Sequence, residues 1–184
     1  MLVPVCACLM VLTLGFHDPL SGGDGKLKPA NFSLKDLNGN IVELSQLLGK
    51  GPIVIDFWAT WCKPCVKELP HLNKIQKDYR DRGLVVLAIS EDSPWSVSKV
   101  KSFVTGNRYE FTVPLDTNGD VLRKYGLLGT PYTYVLNAKG EILYKHFGYR
   151  PGDEASLREE IEKAFTAEDE GGEEAMEGES GVGG

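Results

Sequence analysis

The sequence predicts a single α/β domain, with a mixed β-sheet that carries helices on both faces and follows an N-terminal β-hairpin. Residues 52–58 and 84–90 are continuous apolar runs, broken in the first by Asp56, and such runs are typical of strands buried on both faces. Between them, residues 63–82 space their apolar side chains at helical intervals. Two buried strands joined through a helix form a βαβ unit, whose crossover is expected to be right-handed.

The other predicted elements complete the domain on either side of this unit. Asn38-Gly39 lies between two short alternating runs, and Asn-Gly favours a tight hairpin turn. In chain order we expect a hairpin (31–44), a helix ending near residue 105, a short strand (111–113), a turn and short helix (117–126), a second hairpin (132–148) and a helix beginning at Asp153. The domain therefore spans residues 31–166.

Composition and charge narrow the class of protein. The chain has 184 residues, of which 42% are hydrophobic and 25% charged, as is ordinary for one globular domain. Its net charge of -6 arises from residues 167–184, an acidic and almost apolar-free tail that we expect to be disordered. The rest is close to neutral and shows no basic cluster, which argues against nucleic acid as a partner.

The N-terminal segment predicts export from the cytoplasm. Residues 1–16 are uncharged and mostly apolar, too short to span a bilayer but suited to the apolar centre of a signal peptide. A Gly/Pro-rich linker follows at residues 17–30. Two alternatives are a lipoprotein signal acylated at Cys6 or Cys8, which would associate the chain with a membrane, and a segment that is disordered or packs in the core.

Cys62 and Cys65 are the candidate reactive pair. The first lies directly after a predicted strand and at the start of a helix, where free backbone N–H groups and the helix dipole stabilise a thiolate. Lys63 would add positive charge beside that sulfur. The second cysteine lies one turn further in, placed to attack a mixed disulfide, and this division of labour is thiol–disulfide exchange.

The spacing of the pair also allows a structural disulfide or a metal site. A purely structural disulfide closing so small a loop would constrain the unfolded chain little. A structural zinc site needs four ligands, and the chain without its N-terminal signal offers, beyond this cysteine pair, three histidines far apart in sequence: His17, His71 and His146. We therefore expect no resident metal and no cofactor, although a copper site shared between this pair and a partner protein stays open.

An acid in the first buried run is the candidate proton acceptor. Burying the Asp56 carboxylate is costly, and burial raises the pKa of such a group toward the range useful for proton transfer. The alternative is a structural aspartate held by backbone donors. Trp61, beside the first cysteine, is a candidate for a substrate-docking surface.

Three stretches carry a resemblance to a known family. "VIDFWATWCKPC" resembles the active-site segment of the thioredoxin superfamily, and "VKELP" after it resembles the exported TlpA/ResA-like branch. "GLLGTPYTYVLNAKGEI" is similar to the later segment of that fold, where a Thr-Pro pair faces the dithiol. The resemblance covers about residues 32–165 and implies a thioredoxin-like fold.

The resemblance also implies roles for individual residues. Cys62 would attack and Cys65 would resolve. Pro131 would follow a cis peptide bond, and Thr130 would offer backbone groups to a bound substrate strand. Glu68 would transfer a proton to the buried thiol, unless it is simply one more acid on a solvated helix face.

The implied function is a thiol–disulfide oxidoreductase that acts on cysteine-containing proteins outside the cytoplasm. Pro64 is typical of reducing members, so we expect a reductant, recharged by a membrane electron donor and with cytochrome c maturation as one role. The alternatives are a copper-handling protein that uses the dithiol as a ligand and a peroxiredoxin-like peroxidase.

Overall fold

The structure is a computed structural model that describes residues 27–173. The predicted signal segment, most of the linker and the end of the acidic tail lie outside this range. Across the residues described, no helix is both long and apolar enough to cross a membrane.

The secondary structure follows the predicted order. In chain order the elements are β1 (Ser33–Lys35), β2 (Ile41–Glu43), β3 (Ile53–Trp58), α1 (Lys63–Tyr79), β4 (Val85–Ser90), α2 (Val97–Gly106), α3 (Asp120–Lys124), β5 (Tyr132–Leu136), β6 (Ile142–Phe147) and α4 (Asp153–Glu173). The last helix continues past residue 166, the predicted end of the domain.

The strands form two sheets. β1 and β2 pair antiparallel as the N-terminal hairpin. The central sheet has the order β4-β3-β5-β6, in which β3 runs parallel to β4 and antiparallel to β5. This mixed sheet and its hairpin confirm the predicted fold class.

Both faces of the central sheet are covered by other elements. Alternate residues of β3 point to opposite faces, so they pack into two different clusters. Val54 and Trp58 belong to the hydrophobic cluster that α1, α2 and α4 complete. Ile53, Ile55 and Phe57 belong to a second cluster, which the N-terminal hairpin region and α3 complete. The alternation places Asp56 on the α1 side of the sheet, and this side holds the candidate site.

The predicted strand at residues 111–113 is wrong as a regular element. The chain at residues 111–115 runs beside β4 and forms isolated bridges instead: Leu87 with Thr112, Ser90 with Leu115, and Asp36 with Pro114. Pro114 explains the interruption, because proline has no N–H to donate to a ladder. Phe111 and Val113 are nevertheless buried in the core.

Candidate redox site

The two cysteines occupy the start of α1 and form a disulfide. Cys62 is the N-cap residue of the helix, and its sulfur accepts a hydrogen bond of 3.3 Å from the backbone N–H of Cys65. Pro64 lies in the first turn, where a missing N–H costs no hydrogen bond. Cys62 is 5% exposed and Cys65 is fully buried, so only the first sulfur has access to a partner.

The loop that carries the motif is anchored by a buried acid. Asp92 accepts hydrogen bonds from the Thr60 backbone N–H at 2.8 Å and from the Thr60 hydroxyl at 2.6 Å. The Ser90 hydroxyl donates a third bond of 3.1 Å to the same carboxylate. These contacts fix the chain directly before Trp61 and Cys62.

Two further acids lie behind the disulfide. Asp56 is fully buried on β3, and Glu68 is 5% exposed on α1, three residues after Cys65. The Thr133 hydroxyl oxygen lies 3.3 Å from Asp56 Oδ1 and 3.1 Å from Glu68 Oε1. The other carboxyl oxygens, Asp56 Oδ2 and Glu68 Oε2, are buried without a hydrogen-bond partner in the described part of the chain.

These surroundings favour protonated carboxyl groups. Burial, and then the neighbouring Glu68 charge, raise the pKa of Asp56 well above its usual value. Burial raises the pKa of Glu68 to about 7, against the lowering effect of the Thr133 hydrogen bond. Glu68 can therefore take up or release a proton near neutral pH, and Asp56 keeps its proton to a higher pH than an exposed aspartate does.

The predicted substrate-binding residues occupy two positions around the disulfide. Trp61 and Thr130 line one groove of about 450 Å³, and the Thr130–Pro131 peptide bond is cis, as the resemblance implied. Lys63 and Pro64 are exposed on the first turn of α1 and do not line this groove. The structure thus brings Trp61 and Thr130 together in one groove, whereas Lys63 and Pro64 lie outside that groove.

The sequence reasoning did not single out three residues of this region: Thr133, Asp92 and Glu91. Thr133 reaches both acids because β5 pairs with β3 in the register that sets it opposite Asp56. Glu91 lines the groove beside Trp61, and burial together with the nearby Asp116 raises its pKa to about 9. An acid at the end of a predicted buried strand was the available signal for Glu91 and Asp92.

Within residues 27–173, no group of three or more His, Cys, Asp or Glu side chains is placed to hold a metal ion.

Comparison with known proteins identifies the class. The AhpC/TSA family matches residues 26–145. The chain is 34% identical to the thiol-disulfide oxidoreductase ResA of Bacillus subtilis (strain 168) over 144 residues, which cover 78% of each chain. It is also 34% identical to the ResA of Bacillus thuringiensis subsp. konkukian (strain 97-27) over 119 residues, or 65% of this chain and 66% of that protein, just under two thirds of its length.

Solved structures agree. A candidate thiol:disulfide interchange protein DsbE from Chlorobium tepidum superposes with a TM-score of 0.70 at 33% identity, covering 76% of this chain and 96% of that one. The chain therefore belongs to the AhpC/TSA family of the thioredoxin superfamily, on its branch of ResA/TlpA-like thiol–disulfide oxidoreductases.

Proposed function

We propose that this protein reduces disulfides of cysteine-containing proteins outside the cytoplasm, using Cys62 and Cys65 as its dithiol. The observation that carries the proposal is the asymmetry of the pair. Cys62 caps α1, where the positive end of the helix dipole stabilises a thiolate, and it is the cysteine of the pair that keeps some exposed surface, 5%. Cys65 is fully buried behind it.

The exchange proceeds in two displacements. The Cys62 thiolate attacks a substrate disulfide, forms a mixed disulfide and releases one substrate thiolate. Cys65 then loses its proton and attacks the Cys62 sulfur, which forms the intramolecular disulfide and releases the second substrate thiolate. The substrate gains two electrons and two protons, and the protein loses two thiols. The oxidised product is the state that the structure contains.

Asp56 and Glu68 accept the proton of Cys65 in this scheme. A buried thiol needs a base nearby, since water does not reach it, and a base with a pKa near the working pH transfers protons most efficiently. Burial gives both acids raised pKa values. During re-reduction the same acids return a proton to the Cys65 thiolate as it leaves.

The groove beside the disulfide receives the substrate. Trp61 is 66% exposed and lines the groove together with Thr130, so it supplies apolar contact area next to the attacking sulfur. Thr130 and Pro131 present their backbone to an extended segment of the substrate. Lys63 and Pro64 flank Cys62 on the helix side and contact the part of the substrate that extends past the groove.

The direction of electron flow and the compartment rest on the sequence. Pro64 in the motif favours a reductant, and a reductant outside the cytoplasm needs an electron donor in the membrane to regenerate its dithiol. Keeping the cysteines of apocytochromes c reduced for haem attachment is the specific role we propose. The apolar segment at residues 1–16 supports export.

Cysteine variants test the reaction itself. Reduction of insulin disulfides is measured for the wild type, Cys62→Ser and Cys65→Ser, with Lys67→Ala, an exposed change on α1, as the matched control. We expect both cysteine variants to be inactive and the control to be active. Peroxide turnover that survives in Cys65→Ser would instead indicate a peroxidase. Stoichiometric Cu(I) binding without exchange would indicate a copper-handling protein.

The reduction potential of the pair tests the direction. Equilibration with glutathione or thioredoxin standards should give a value near that of thioredoxin, about -270 mV. A value near about -120 mV, typical of a strong oxidant, would overturn the reductant assignment.

A further inference from the structure

A single hydroxyl group stands between the two buried acids. Thr133 Oγ1 is within hydrogen-bond distance of Asp56 Oδ1 and of Glu68 Oε1, and all three side chains are buried. A hydroxyl carries one proton to donate and two lone pairs that accept. It can therefore donate to one carboxylate only, and it bonds the second acid only if that acid donates a proton of its own.

The carboxyl groups differ in their access to solvent. Asp56 is sealed inside the sheet, with no exposed surface. Glu68 and Thr133, by contrast, line a narrow cleft between α1, β6 and α4. Its cavity volume of about 10 Å³ is close to what one water molecule requires. A proton on Asp56 thus has a short route outward, through the hydroxyl to Glu68 and then to the cleft.

The groups that face Glu68 come from every element packed around it. They are Asp56 on β3, His71 on α1, Tyr144 and His146 on β6, Tyr149 in the turn after it, and Asp153 and Glu154 on α4. His146 and Asp153 lie 3.3 Å apart, and His71 and Glu154 lie 3.9 Å apart. Polar and charged groups therefore surround Glu68 on the side of the cleft.

We infer that the Thr133 hydroxyl joins Asp56 and Glu68 into one proton-sharing unit and relays protons between the sealed aspartate and the cleft. In one arrangement protonated Asp56 donates to Thr133, which donates to the Glu68 carboxylate. Transfer of both protons along these bonds leaves Asp56 ionised and Glu68 protonated, with the hydroxyl intact. Thr133 is thus a positioning residue for the reaction, and its relay role rests on the proposed function of Cys65.

The unit is tested by carboxyl titration, which needs no substrate. Side-chain carboxyl signals of Asp56 and Glu68 are followed by carbon-13 NMR against pH in the oxidised full chain. Thr133→Val keeps the shape but removes the hydroxyl, Thr133→Ser restores it, and Thr112→Val is the control, at a half-buried threonine beside β4. We expect Thr133→Val to raise the pKa of at least one acid by about one unit or more, because a lost hydrogen bond to a carboxylate disfavours the ionised form.

The serine variant and the control separate the hydroxyl from general packing. Thr133→Ser should return both titrations to their wild-type midpoints, and Thr112→Val should leave them unmoved. Titrations that stay the same in Thr133→Val would overturn the proton-sharing unit. The titration does not depend on exchange activity. An inactive wild-type protein would contradict the proposed function, whereas the titration alone tests the proton-sharing unit.

The relay is tested by the rate at which Cys65 resolves a preformed mixed disulfide on Cys62. Near neutral pH we expect Thr133→Val to slow this step several-fold and Thr133→Ser to restore it. An unchanged rate in Thr133→Val would overturn the relay. Equal slowing by Thr133→Val in the Asp56→Asn/Glu68→Gln background would also overturn it, because the effect would then be one of packing.

Discussion

Asp92 and Asp56 are both buried beside the same active-site motif, yet their surroundings differ in kind. Asp92 accepts three hydrogen bonds, of which two come from Thr60 and one from Ser90. Asp56 has one contact, 3.3 Å long, to a hydroxyl shared with Glu68, and its second oxygen has no partner in residues 27–173. A buried carboxylate with enough donors stabilises structure, whereas one with too few keeps its proton and is suited to chemistry.

Removal of Asp92 should have the largest effect on stability. Asp92→Ala leaves the Thr60 N–H and two hydroxyl groups without their acceptor, and we expect the free energy of unfolding to fall by on the order of 3 kcal/mol. Urea denaturation measures it. Asp81→Ala, at a side chain 96% exposed, is the control and should stay within about 0.5 kcal/mol of the wild type. An equally small change in Asp92→Ala would remove the contrast between the two aspartates.

Replacing Asp56 by a neutral residue should increase the stability of the protein, in contrast to the replacement of Asp92. Because its pKa is raised in the folded state, the folded protein binds more protons than the unfolded chain above about pH 4, so stability falls as pH rises. At pH 8 we expect Asp56→Asn to raise the free energy of unfolding by at least about 1 kcal/mol, since one pKa unit corresponds to about 1.4 kcal/mol. Denaturation at pH 3, where both forms are neutral, should show a smaller difference. Destabilisation at pH 8 would argue that Asp56 is held as firmly as Asp92.

Glu68 should affect the stability of the protein over a defined range of pH. Its pKa is raised to about 7, so its contribution to stability is fully present below its unfolded pKa and is lost between there and about pH 7. Glu68→Gln should therefore flatten the fall in stability over this range, as denaturation midpoints at several pH values would show. Glu160→Gln, another helical glutamate, serves as the control. An unflattened curve in Glu68→Gln would mean that Glu68 titrates like an exposed acid.

The smallest effect is expected at a donor to Asp92. Thr60→Val removes the 2.6 Å hydroxyl bond but keeps the backbone one, and it should cost about 1 kcal/mol in denaturation experiments. Thr60→Ser retains the hydroxyl and should behave like the wild type. If Thr60→Val moved the pH dependence of stability as Asp56→Asn does, Asp92 would belong to the titrating group after all.

Most of the secondary structure that positions these acids could be predicted from the sequence. Apolar runs located β3 and β4, the change to helical spacing located α1, and Asn38-Gly39 located the first hairpin. The burial of Asp56 followed from its place inside an apolar run. The strand at residues 111–113 failed because periodicity does not register that Pro114 interrupts a ladder.

The contacts within the site were beyond the sequence. Which residue of β5 lies opposite Asp56 depends on strand register, and nothing in "YTYVL" distinguishes one register from its neighbours. Glu68 could equally have faced solvent, because its environment depends on how α4 and β6 close over α1. The two hydrogen bonds from Thr60 to Asp92 likewise join residues 32 positions apart.

We propose that Asp56 and Glu68, the two buried acids with few hydrogen-bond donors, take the proton from Cys65. The most direct measurement is the pH dependence of Cys65 attack on a preformed mixed disulfide at Cys62, in the wild type and in Asp56→Asn/Glu68→Gln. We predict that the wild-type rate rises through the titration of Glu68, near pH 7, and then levels off. The double variant should be slower by about a hundredfold at pH 7, as expected for the loss of a general base. Superimposable profiles for the two proteins would contradict the claim.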